Sequence, residues 1–76
     1  MDKIEEKKLL EDFCFNLKIE RVKSRLTQEQ LAEIVDVSKV YISNTESGKH
    51  NISITNAYKL SRAVNKTIED LLHENS

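Results

Sequence analysis

A single glycine, Gly48, and no proline in 76 residues leave this chain with almost nothing that interrupts a helix. In a helix interior glycine costs about 1 kcal/mol relative to alanine, and proline about 3 kcal/mol. Few segments alternate with the period of a strand, so the expected class is all-α. The length suits one domain with a thin core.

Apolar spacing divides the chain into five expected helices. The first starts somewhere in residues 3–8 and runs to about Ser24. Leu10, Phe13, Cys14, Leu17 and Arg21 recur at helical spacing and draw one stripe along it. Phe15, Ile19 and Val22 draw a second stripe on the opposite side. A helix apolar on two sides is expected to be sandwiched, with either helix 5 or a partner subunit as the second cover. Helix 2 starts at Thr27, where Thr27 and Gln30 form a capping box, and turns Leu31, Ala32 and Val35 inward. The pattern stops at Asp36-Val37, and Ser38 caps helix 3, which runs from Lys39 to about Ser47. Gly48 supplies a left-handed exit. Lys49, His50 and Asn51 form a polar loop. Helix 4 spans Ser53 or Ile54 to Val64, with Ala57, Leu60 and Val64 inward. Asn65 is a second left-handed exit. Thr67 caps helix 5, with Asp70 three residues on and Ile68, Leu71 and Leu72 inward. Residues 13–73 read as the domain, 1–12 as an N-terminal helical extension or disordered arm, and 74–76 as a frayed end.

Net charge is −1, which argues weakly against a nucleic-acid partner, but the charge is unevenly spread. Residues 1–12 carry three Lys/Arg against five acids, residues 13–64 eight against five, and residues 65–76 one against three. Any phosphate-binding face belongs in the middle. Most of the acids read as solvated helix faces. The one cysteine, Cys14, lies in the apolar stripe and reads as a reduced core thiol, which suits a cytoplasmic location. No apolar run approaches the length of a membrane span, and the charged N-terminus does not resemble a signal peptide. His50 and His73 are isolated, with no metal-ligand spacing, and no glycine-rich phosphate loop or nucleophile-base pattern is present. No enzyme activity, metal or cofactor is expected.

Two short helices joined by a three- or four-residue turn carry the functional argument, because the second helix of such a unit fits the major groove of DNA. On the wheel of helix 3, Ile42 and Thr45 point inward with Glu46 nearby. Val40, Ser43, Asn44 and Ser47 point outward, and Lys39 sits at the exposed start. That outer face is small, polar and free of carboxylates, which suits a polyanion.

Several segments resemble the phage-repressor-like (Cro, XRE) helix-turn-helix family. They are Leu26-Thr27-Gln28-Glu29-Gln30-Leu31-Ala32, Val37-Ser38-Lys39-Val40-Tyr41-Ile42-Ser43, Glu46-Ser47-Gly48-Lys49 and Ile68-Glu69-Asp70-Leu71, in the family's order and spacing over about residues 13–72. The resemblance implies a five-helix, lambda-repressor-like domain with the helix-turn-helix in helices 2 and 3. It implies base reading by Ser38, Lys39, Val40, Ser43 and Asn44. It implies phosphate contacts from Gln28, Tyr41, Ser47, Lys49, His50 and Asn51. Arg21 and Glu46 match a buried ion pair of the family, and both face inward on their wheels. The chain departs from the family pattern at Arg25 and Asp36, where glycine is usual. Either these backbones stay left-handed at about 1 kcal/mol each, less for Asp, or the turns are remodelled. Ile52 replaces a proline, while Thr45 and Lys66 replace apolar residues. An under-filled, marginally stable core is expected.

The leading expectation is a sequence-specific transcriptional regulator, a repressor that binds double-stranded DNA as a homodimer on half-sites one helical turn apart. The competing reading is a protein-interaction module, an antitoxin or an antagonist of another regulator. It rests on the negative net charge, the charged N-terminal segment and the second stripe of helix 1. A protein antagonist would then be the partner.

Overall fold

The computed structural model describes residues 3–73, which form α1 (Lys3–Lys23), α2 (Gln28–Val35), α3 (Lys39–Glu46), α4 (Ile54–Ala63) and α5 (Ile68–His73). No helix among them is long and apolar enough to cross a membrane. Residues 74–76, expected to fray, lie outside the described residues.

One connector recurs three times: Arg25-Leu26-Thr27, Asp36-Val37-Ser38 and Asn65-Lys66-Thr67. Its first residue is left-handed, with φ of 61° at Arg25, 61° at Asp36 and 62° at Asn65. Its third residue caps the next helix. The left-handed step turns two amides back onto the helix just finished. After α1, Arg25 N–H donates to the Val22 carbonyl (3.0 Å) and Leu26 N–H to that of Arg21 (3.2 Å). After α2, Val37 N–H donates to the Ala32 carbonyl at 2.9 Å; after α4, Lys66 N–H donates to that of Ser61 at 2.9 Å. These are Schellman motifs, which satisfy carbonyls that a helix end leaves open. α3 ends in the same motif, with Gly48 at φ 72° and Lys49 N–H donating to the Asn44 carbonyl at 2.9 Å. The turns lacking the family's glycine are therefore not remodelled. They keep the left-handed geometry and carry its strain, about 1 kcal/mol at Arg25 and less at Asp36.

The third position of each connector starts the next helix by hydrogen bonding. Thr27 Oγ1 accepts from Gln30 N–H (3.0 Å), while Gln30 Oε1 accepts from Thr27 N–H (2.8 Å). Thr67 and Asp70 repeat that box at 3.0 Å in each direction. Ser38 and Ser53 accept from the amides of Tyr41 (3.0 Å) and Asn56 (3.1 Å). A cap of this kind contributes about 1 kcal/mol.

The helices enclose one core of Phe13, Cys14 and Leu17 from α1, Leu31, Ala32 and Val35 from α2, Ile42 from α3, Ala57 and Leu60 from α4, then Val64 and Leu71. Leu26 and Val37, the middle residues of the first two connectors, pack against it. Burial pushes the Cys14 thiol up to about 11, with Glu11 and Glu46 acting in the same direction, so it stays protonated at neutral pH.

One expectation for α1 needs correction. Helix 5 does not cover the second stripe: Phe15 is 63% exposed and Val22 57%, with Ile19 half-buried. α5 meets α1 where a polar residue lies. Buried Asn16 donates from Nδ2 to the Leu71 carbonyl at 2.7 Å, satisfying a carbonyl near the end of α5. One acid of α1 lies off the solvated faces, as an expectation made for most of the acids allows. Glu20, one turn beyond Asn16, is buried, with Lys23 Nζ 3.6 Å from its Oε2.

Candidate nucleic-acid interface

The turn at Asp36-Val37 ends α2, and the Ser38 hydroxyl restarts the chain as α3. Val37 packs on the core and anchors the bend. The inner face of α3 buries Ile42 and Thr45. The opposite face presents Val40, which is 66% exposed, together with exposed Lys39, Ser43 and Ser47 and half-buried Asn44. The five residues expected to read bases, Ser38, Lys39, Val40, Ser43 and Asn44, thus lie on the start and outer face of α3. None is buried in the core or covered by the described termini.

The end of α3 is tied to two other helices by one carboxylate. Glu46 accepts from Arg21 Nε at Oε2 (2.5 Å), and from Arg21 Nη2 (3.1 Å) and Gln28 Nε2 (3.0 Å) at Oε1. Arg21 Nη1 also donates to the Leu26 carbonyl at 2.6 Å. The expected Arg21–Glu46 pair is present, and its side chains are only 11% and 3% exposed. Charge-assisted bonds of this fork geometry fix orientation as well as energy. Gln28 was expected to face a phosphate, yet one of its amide N–H groups points inward to Glu46. At the start of α2 the Gln28 and Glu29 amides have no partner within the helix.

Electrostatically, the consequence is large. Between Val37 and Ile68 the only carboxylate is Glu46, against Lys39, Lys49, Lys59, Arg62 and Lys66. That one negative charge is sealed beneath Arg21. The outer face of α3 and the loop after it therefore carry no exposed carboxylate.

Beyond α3, Ser47, Lys49 and Asn51 are exposed in the loop, with Ser47 Oγ donating to the carbonyls of Ser43 (3.0 Å) and Asn44 (3.2 Å). Tyr41 and His50 are half-buried and lie ring to ring, with centroids 4.7 Å apart. The Tyr41 hydroxyl accepts from Asn56 Nδ2 at 2.8 Å, so its own proton remains available to a phosphate oxygen. Sequence reasoning did not find Asn56, because a polar residue in the first turn of a helix gives no signal of a partner fifteen residues away. It did single out Thr45 as a polar residue at an apolar position. Thr45 is fully buried, and its hydroxyl meets both the Tyr41 carbonyl (2.7 Å) and His50 Nε2 (2.7 Å).

A helix-turn-helix family model matches residues 17–71 of this chain. Control protein C.MunI of Mycoplasma sp is 33% identical over 57 residues, which cover 75% of this chain and 77% of that protein.

The chain belongs to the helix-turn-helix family.

An uncharacterized HTH-type transcriptional regulator of Archaeoglobus fulgidus is 47% identical over 51 residues, covering 67% of this chain and 73% of the relative. Among solved structures, the restriction-modification controller protein C.AhdI from Aeromonas hydrophila superposes with a TM-score of 0.75 at 30% identity, over 83% of this chain and 94% of that one. The XRE-type resemblance and the five-helix fold are thereby established, and the helix-turn-helix unit of this family is a DNA-binding element. The relatives are regulators and control proteins, a non-enzymatic kind of family.

Proposed function

We propose that this helix-turn-helix protein is a sequence-specific transcriptional repressor that binds duplex DNA as a homodimer, with α3 of each copy in the major groove of an operator half-site. The observation that carries the reading is the carboxylate-free surface from α3 through the following loop, bounded by Lys39 and Lys49. Lys39 would donate to guanine O6 or N7, Asn44 would pair with adenine, and Val40 would touch a thymine methyl. Ser38 and Ser43 complete that base-reading set. Phosphates would be held by Ser47, Lys49, Asn51 and the free proton of Tyr41, with His50 beside them and the Gln28 end of α2 on the other flank. The named relatives favour a control protein, and C.AhdI suggests a restriction-modification gene pair as the setting.

The test is selection of bound duplexes from a random pool, followed by affinity measurements across salt and sedimentation. A two-fold symmetric consensus with half-sites roughly 34 Å apart, and a log affinity that falls about 0.9 per phosphate contact with log salt, are expected. A flat salt dependence removes the electrostatic basis of the reading. Exposed Phe15 and Val22 support a second reading, a module that binds another protein through α1. Stoichiometric co-purification with a protein, and no retention on any duplex, would select it.

A further inference from the structure

α3 and α4 are consecutive, yet α3 packs mainly on α2 and α1, and α4 on α2 and α5. The loop between them, residues 47–53, is the longest connector and carries Lys49 and Asn51. What joins its two sides is a polar cluster. Thr45 Oγ1 has a single proton, and it goes to the Tyr41 carbonyl, which can only accept (2.7 Å). His50 Nε2, 2.7 Å from the same oxygen, must then be the donor. This places the ring proton of neutral His50 on Nε2 and anchors the loop to a fully buried hydroxyl. The His50 ring lies against Tyr41, and Tyr41 is held by Asn56 of α4 at 2.8 Å. Asn56 N–H is itself bonded to the α4 cap Ser53 (3.1 Å).

We propose that Thr45, His50 and Asn56 are positioning residues for DNA binding: the buried Thr45 hydroxyl sets His50, and with Asn56 they hold the loop and the Tyr41 phenol where phosphates are met. Thr45 is inaccessible to any duplex, so its influence passes wholly through His50 and Tyr41. The inference rests on the DNA-binding reading above. It assigns His50 to alignment of the loop rather than to a phosphate contact of its own.

The experiment compares the full chain with Thr45→Val, Thr45→Ser, His50→Ala, Asn56→Ala and the Thr45→Val/His50→Ala double variant on the most enriched duplex from the random pool. Thr45→Val and His50→Ala are each expected to weaken binding about three- to tenfold, the cost of ordering one or two side chains. The double variant is expected to lose no more than either single one, because both remove the same link. Thr45→Ser keeps the hydroxyl and should bind like the parent. Asn56→Ala, outside the core, should weaken binding in the same direction. None should change the slope of log affinity against log salt. Ring-nitrogen NMR of the free protein should show His50 protonated on Nε2 in the parent and mixed tautomers in Thr45→Val.

Additive losses in the double variant, or a slope reduced by about one in His50→Ala alone, make His50 a phosphate ligand and overturn the proposal. Parent-like binding by both Thr45→Val and Asn56→Ala overturns it as well. Failure of the parent to bind any duplex strikes the DNA-binding reading instead, and the NMR tautomer still reports on the Thr45–His50 link.

Discussion

Arg25 and Gly48 occupy the same conformation at the ends of two helices, φ 61° and 72°, with opposite sequence logic. A left-handed residue with a Cβ carries about 1 kcal/mol of strain that glycine avoids, less the flexibility glycine adds to the unfolded chain. Arg25→Gly should therefore stabilise the protein by about 0.5 kcal/mol, and Asp36→Gly by less. Gly48→Ala should destabilise it by about 0.5 kcal/mol, the same strain less the flexibility alanine removes from the unfolded chain. A Cβ at Gly48 would meet nothing within 4 Å, so the cost there is conformational strain alone. Urea unfolding of the three variants checks the order; equal effects would mean the turns relax. The Arg21–Glu46 pair is a stiffer case. Glu46→Ala leaves the Arg21 guanidinium part-buried without its carboxylate, and removing one member of such a pair typically costs about 3–5 kcal/mol. In a domain whose total stability is about 5–15 kcal/mol, a melting curve should show a large drop in midpoint. At this scale the sequence was informative wherever a residue acts on its own neighbours. Thr27, Ser38, Gly48, Asn65 and Thr67 all perform the turns their chemistry suggests. It was silent where a side chain's partner is remote, as with Asn16 and the Leu71 carbonyl or Asn56 and the Tyr41 hydroxyl.

Helices show the same division between local and remote causes. Period together with the caps and left-handed exits placed all five, because a chain with one glycine offers few alternatives. It could not say what would cover each face. The spacing of Phe15, Ile19 and Val22 describes a surface fit to be buried. The six-residue α5 docks instead where the Asn16 amide reaches the Leu71 carbonyl. Docking of α5 depends in turn on its own start. Hydrogen bonds from the Thr67 backbone, then from its side chain, hold the Asp70 carboxyl below the usual carboxylate range. A group whose pKa is depressed on folding favours the folded state at neutral pH, and that contribution is lost as pH falls through the folded value. The α5 start should accordingly weaken below about pH 4, the ordinary aspartate range. Asp70→Asn keeps an acceptor for Thr67 N–H but has no charge to lose. Its melting temperature should vary less with pH between neutral and acid than the parent's, and identical curves would show that Asp70 does not link α5 to pH.

The whole molecule measures 34 × 24 × 19 Å, and α3 has eight residues. At 1.5 Å per residue, α3 is about 12 Å long, too short to cover more than a few base pairs. On the proposed reading a unique operator therefore needs more than one copy, and the molecule is of the right size for two recognition helices one turn of DNA apart, roughly 34 Å. On the proposed reading the two kinds of contact should separate cleanly in variants. Lys49 lies in the exposed loop and would meet a phosphate, so Lys49→Ala should weaken binding to all sequences alike and reduce the salt slope by about one per copy. Asn44 lies on the outer face of α3 and would meet a base edge. Asn44→Ala should cost about 1–3 kcal/mol on the preferred operator, relax selection at one position of each half-site and leave the salt slope unchanged. A symmetric site repeats each defect, so the loss of preference should appear at two positions related by the two-fold axis. If Asn44→Ala lowered affinity for every sequence equally while Lys49→Ala altered base preference, α3 would be lying in the duplex in another orientation. The carboxylate-free surface would then be a phosphate-binding face alone.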